Sequence, residues 1–112
     1  RKMIYTSYFA NWRRFPPGAR TIAITRWPPK YYRGEVDLRL APSITLLDLY
    51  QSGVVSEEFY TKIFRAYLDG MDKNEFLNEW AGQDIVLLCF ERPDEFCHRH
   101  IVADWIGAEE LP

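Results

Sequence analysis

Both cysteines and both histidines of this chain lie between Leu87 and His100, in the stretch Leu87-Leu88-Cys89-Phe90-Glu91-Arg92-Pro93-Asp94-Glu95-Phe96-Cys97-His98-Arg99-His100. Thiol, imidazole, carboxylate and guanidinium together can supply a nucleophile, an acid/base pair and a holder for an anion. In one reading Asp94 caps the last helix, which puts Cys97 in the first turn, where unpaired N–H groups and the helix dipole lower a thiol pKa. His98 and Arg99 add positive charge there, and Arg99 at that terminus would hold a phosphate or carboxylate. In a second reading Cys89, Cys97, His98 and His100 offer soft metal ligands, but their spacing matches no paired zinc knuckle. Cys97 and His100, three apart, would share a face while His98 points elsewhere and Cys89 packs inside a strand. In a third reading the cluster is structural: Cys97 fills the core, Arg99 pairs with Asp94 or Glu95, and His98 satisfies a backbone or carboxylate partner. The expectation taken forward is a site without metal or cofactor, in which Cys97, His98 and Glu91 are catalytic.

The elements that would position these groups follow from the local pattern. Met3–Thr6 and Thr21–Thr25 are short, apolar and rich in β-formers, and read as strands. Ser7–Arg14 reads as a loop with one helical turn, and Phe15-Pro-Pro-Gly18 and Trp27-Pro28-Pro29 punctuate the chain. Lys30–Arg39 reads as a loop. From Ser43 the period becomes helical: a first helix to Gly53, a second opened by Ser56-Glu57-Glu58 and closed by Gly70, and a third capped by Asp72 and ended by Gly82. Ile85–Phe90 is a continuous apolar run, the mark of a central parallel strand buried on both faces. Pro93-Asp94 is a turn, and Glu95–Ile106 is the final helix.

A single compact three-layer α/β domain follows, with a short, mostly parallel central sheet flanked by helices. Ligands of such sheets bind beyond the carboxyl ends of the strands, which brings Ser7, Tyr8, Arg26 and Glu91 to one rim.

Charge is unevenly spread. Between Arg1 and Gly34 there are eight basic residues and no acid, while the rest of the chain carries six basic and sixteen acidic residues, for an overall −2. Eight of the eighteen aromatics, Trp12, Trp27, Tyr31 and Tyr32 among them, share that basic third. Arginines attract phosphates and aromatic faces stack on bases, so a polyanion partner is one expectation. The other is that the acidic helices fold over the basic segment and neutralise it. The chain's 112 residues make one domain with a core of its own, and 47% hydrophobic with 27% charged residues fits a globular protein. No apolar run approaches the roughly 18 residues that span a membrane, no secretory signal is visible, and two cysteines do not make a disulfide scaffold. The expectation is a cytoplasmic protein with no membrane partner.

The Cys89 to Arg99 segment has the order of the phosphate loop of rhodaneses and tyrosine phosphatases but lacks its glycines, whose bare amides cradle an oxyanion. A fuller match exists. Leu87-Leu88-Cys89-Phe90-Glu91 followed by Cys97-His98-Arg99, the opening Ile4-Tyr5-Thr6-Ser7-Tyr8-Phe9, and Arg26-Trp27-Pro28 together resemble domain-of-unknown-function family 488 of bacteria, archaea and phages, over nearly the full length. The resemblance implies a Rossmann-like fold and a shared site at Arg26, Glu91, Cys97, His98 and Arg99, with no settled reaction. Many members carry an acid two positions before the arginine, where this chain has Ile24.

The combined expectation is an enzyme or sensor for a phosphorylated small molecule, nucleotide or nucleic acid. Arg26 and Arg99 hold anionic oxygens, Tyr8 or Trp27 stacks a base, Glu91 and His98 exchange protons, and Cys97 is the nucleophile. The alternative is a non-catalytic nucleic-acid or protein adaptor that uses the basic-aromatic third.

Overall fold

The computed structural model describes residues 3–92 and 94–112. Pro93, read above as part of a turn, and Arg1 and Lys2, counted in the basic third, lie outside the described residues. Five strands are present: β1 (Ile4–Tyr8), β2 (Arg20–Ala23), β3 (Glu35–Val36), β4 (Ile85–Cys89) and β5 (Glu109–Glu110). They form one sheet in the order β3-β2-β4-β1-β5, and every pairing is parallel. β4 lies at the centre, and all five of its residues are buried, as a non-alternating apolar run requires. Phe90, the last residue of that run, has left the strand and is exposed. The two-residue strands β3 and β5 have no counterpart in the sequence reading. Both are edges too short to show a pattern.

The four α-helices are α1 (Ile44–Gln51), α2 (Glu57–Asp69), α3 (Lys73–Glu79) and α4 (His98–Ile106). Ser43, Ser56 and Asp72 cap the first three, each side-chain oxygen accepting a backbone N–H of the first turn at 2.9–3.1 Å. The fourth begins three residues later than expected, and its cap is Cys97, whose sulfur accepts the Arg99 N–H at 3.4 Å. Asp94 is exposed and caps nothing among the described residues.

The layers are unequal. Ile22, Ile24, Ile85 and Leu87 form one core with Leu46 of α1, Phe64 of α2, Phe76 of α3 and Val102 of α4, so all four α-helices cover one face. The other face, Ala23, Val86 and Leu88, lies under Phe9 of a 3-10 helix (Phe9–Arg14), Phe15, Tyr32 and Leu111. The chain order accounts for this. β1 to β2 and β2 to β3 step toward one edge, whereas β3 to β4 and β4 to β5 step toward the other. A uniform right-handed crossover sends these two directions over opposite faces, and only the second direction contains α-helices. β4 thus sits between neighbours whose onward connections leave over the opposite face, the position at which parallel α/β sheets open a crevice. No helix of the described residues is long and apolar enough to cross a membrane.

Candidate functional site

The last residue of β4 is Cys89, and the segment beyond it turns back to start α4. This turn stacks four reactive groups at the carboxyl end of the central strand. The Cys89 thiol donates to Glu91 Oε2 at 2.9 Å. His98 Nδ1 stands 3.9 Å from Cys89 Sγ and 3.8 Å from Cys97 Sγ. His98 Nε2 lies 2.5 Å from the carbonyl oxygen of Ile24, just past β2. A carbonyl only accepts, so Nε2 carries a proton, and in the neutral ring Nδ1 turns its lone pair toward both sulfurs.

One pocket of about 220 Å³ opens on this group, lined by Arg26, Trp27, Cys89, Phe90, Glu91 and His98 among others. Cys97 does not line it. Cys97 borders a separate groove between α2 and α4, beside Arg65 and His100. Cys89 is packed in the strand as expected, the buried last residue of β4, yet it is the thiol that borders this opening. The physical reason is the cap: with Cys97 extended at φ −153° rather than inside the first turn, its sulfur folds back on the helix N–H groups.

Electrostatics separate the two thiols further. The neighbouring Cys97 thiol is the main influence drawing Cys89 below an ordinary thiol, to about 6, against the opposing cost of burial and with help from His98. Burial and the Cys89 charge push Cys97 up. Burial also works against an ionised Glu91, but the hydrogen bond from Cys89 and the nearby Cys97 and His98 outweigh it and keep the carboxyl below its usual range. Cys89 cannot donate to Glu91 and be a thiolate at once. The 2.9 Å contact belongs to the thiol form, and the thiolate forms as that proton leaves the sulfur.

Arg99 is not at the opening. Its side chain has no exposed surface and is spanned by Glu110, which accepts from Nε and Nη2 at 3.2–3.4 Å, and by the Glu91 carbonyl, which accepts from Nη1 at 2.5 Å. Arg99 is therefore a tie holding the Glu91 turn to β5, in place of the expected anion holder, and its partner is Glu110 in place of Asp94 or Glu95. Arg26 is the cation at the pocket, with its Nε donating to the Pro42 carbonyl at 3.1 Å. Ser7 is fully buried and accepts from Asn11 Nδ2 at 2.9 Å, and neither it nor Tyr8 lines the pocket. His100 turns away toward the Glu95 carbonyl and Glu110, so the expected pairing of Cys97 with His100 is replaced by one with His98.

The Cys89 and Cys97 sulfurs and His98 Nδ1 lie within 4.8 Å of one another and could hold a soft cation. Glu91 does not fit as a fourth ligand in this arrangement. Its 2.9 Å separation from Cys89 is shorter than the roughly 3.5 Å between sulfur and oxygen ligands around tetrahedral zinc. A shared proton fits that distance better.

The sheet and pocket define a parallel α/β domain with a cysteine–glutamate–histidine cluster at its carboxyl rim. A family model described as the active DUF488-N3 subclade, DUF488-N3a, matches residues 4–110, and the chain belongs to the DUF488 family. No curated protein and no solved structure matches the chain significantly.

Proposed function

We propose that this protein is a thiol-dependent enzyme acting on a small phosphate-bearing ligand, a nucleotide or the end of a nucleic acid. The observation that carries the reading is Cys89 Sγ at the pocket, 2.9 Å from a carboxylate oxygen and 3.9 Å from an imidazole lone pair. The Cys89 sulfur attacks the electrophilic centre as its proton passes to Glu91 or His98, and the same acid returns that proton to the leaving group. Arg26 holds anionic oxygens and Trp27 offers an exposed stacking face at the mouth. Cys97 is a positioning residue whose S–H supports the Cys89 thiolate. The description of the matching family model as an active subclade favours catalysis over a binding-only role. Two unpaired thiols fit a reducing compartment such as the cytoplasm.

Iodoacetamide labelling tests this directly. Cys89 should label in preference to Cys97, and its rate should rise with pH through about 6, the thiolate dominating above that value and the thiol below it. Cys97→Ala should slow labelling at the acidic end and Cys97→Ser, which keeps a donor, should restore it. AMP should protect Cys89, and Arg26→Ala should remove the protection. Faster labelling of Cys97, or no protection by AMP, would overturn the assignment.

A further inference from the structure

The thin face of the sheet carries an opening of about 460 Å³, and the thiol chemistry makes no use of it. Its walls are Trp12, Phe15, Tyr31, Tyr32 and Arg33, and Phe9 and Leu88 form part of its floor. Trp12 and Tyr31 are 54% and 61% exposed, so a large part of each side chain is open to a ligand. The segment that builds most of the opening is basic: from residue 3 to residue 34 there is no acid, and Glu35, the next residue, is held by Arg20. Among the described residues no carboxylate lies within ion-pair distance of Arg13, Arg14, Lys30 or Arg33, whereas Arg20 is engaged by Glu35 and Glu79. The Arg13 guanidinium lies over one face of the Trp12 ring, 4.4 Å from its centroid, so a base would stack on the other face with a cation behind the ring.

The trough and the Cys89 pocket adjoin. Phe9 lines the first, Phe90 lines the second, and the two rings meet edge-on with centroids 5.2 Å apart. The segment from Thr25 to Gly34 borders both, with Arg26 and Trp27 at one end and Tyr31 to Gly34 at the other. An aromatic trough flanked by cations is how sequence-tolerant proteins hold unpaired bases, since every base has a π-face and every linkage a phosphate.

We infer that the trough binds single-stranded nucleic acid. The bases stack on Trp12 and Tyr31, and the backbone lies along Arg13, Arg14, Lys30 and Arg33. The strand crosses the Phe9–Phe90 pair, so that a neighbouring nucleotide reaches Cys89. That last step rests on the function proposed above, while the binding itself does not.

Fluorescence anisotropy of a labelled oligothymidylate separates the two. Binding should weaken about tenfold in Trp12→Ala and in Tyr31→Ala, as expected for loss of one stacked base. It should persist in Cys89→Ser, which disables the thiol chemistry and leaves the trough intact. The logarithm of affinity should fall with the logarithm of salt at a slope of about −3, as four cations on a single strand predict. Binding that is absent, indifferent to both aromatic substitutions, or equally tight for duplex DNA overturns the inference. So does binding of AMP as tight as that of the oligonucleotide, or capture of a proline-rich peptide in preference to it. Loss of AMP protection at Cys89 with oligonucleotide binding intact would overturn the catalytic reading alone.

Discussion

The two faces of one sheet are built on opposite terms. On the helical face, Ile22, Ile24, Ile85 and Leu87 lie under four amphipathic helices whose Tyr60, Phe64, Phe76, Trp80 and Trp105 fill the space between them. On the other face the same strands offer Ala23, Val86 and Leu88, and the cover is a short 3-10 helix with aromatic rings set on edge. The first arrangement has the continuous apolar burial that stabilises a domain. The second buries less and leaves a trough. Residues one apart on a strand are thus committed to different tasks, and the candidate site sits where the two faces meet, at the end of β4.

The comparison can be broken by substitution. Phe64→Ala on the helical face should cost about 4 kcal/mol, measured by urea denaturation, because four packed helices cannot collapse into the hole. Phe9→Ala on the thin face should cost about half as much, since its cavity opens toward the trough and can take up water. Equal losses would show that both faces carry the fold alike. Arg99→Ala should cost about 3 kcal/mol, because it removes the buried member of an ion pair and leaves the Glu91 carbonyl without its donor. The smallest effect is expected at Asn11, which donates to Ser7 Oγ at 2.9 Å and to the Pro112 carbonyl at 3.2 Å. Asn11→Ala should cost about 1 kcal/mol and raise amide exchange near Leu111 without altering Cys89 labelling. A change in labelling there would mean that the thin face reaches into the site more deeply than its contacts indicate.

Much of this architecture was legible in the residues. The apolar run after Asp84 marks the central strand, Thr21–Thr25 contains most of its neighbour β2, and Ser43, Ser56 and Asp72 cap helices as their types predict. The clustering of thiols and imidazoles located the rim. What the local pattern could not carry was orientation. His98 faces the sulfurs because the Ile24 carbonyl, seventy-four positions away, fixes its other nitrogen. Arg99 is buried because Glu110 on a two-residue strand reaches it, and neither β5 nor its register leaves a periodic trace. Cysteine is not among the residues preferred as helix caps, so Asp94 was the natural choice and Cys97 the actual one. That single displacement turned the Cys97 sulfur onto a helix amide and left Cys89 as the thiol that borders the pocket. The basic third divided: Arg20 was neutralised by Glu35 and Glu79, while the arginines around the trough kept their charge.

Glu110 has one more implication. It accepts from Thr6 on β1 and from Arg99 on α4, and Arg99 in turn holds the Glu91 carbonyl. Gly107, in the left-handed region at φ 80°, turns the chain so that this carboxylate can arrive. The turn that carries Glu91 to the pocket is thus fastened through Arg99 to the last strand, so its position depends on the pairing of β5 with β1 as well as on β4.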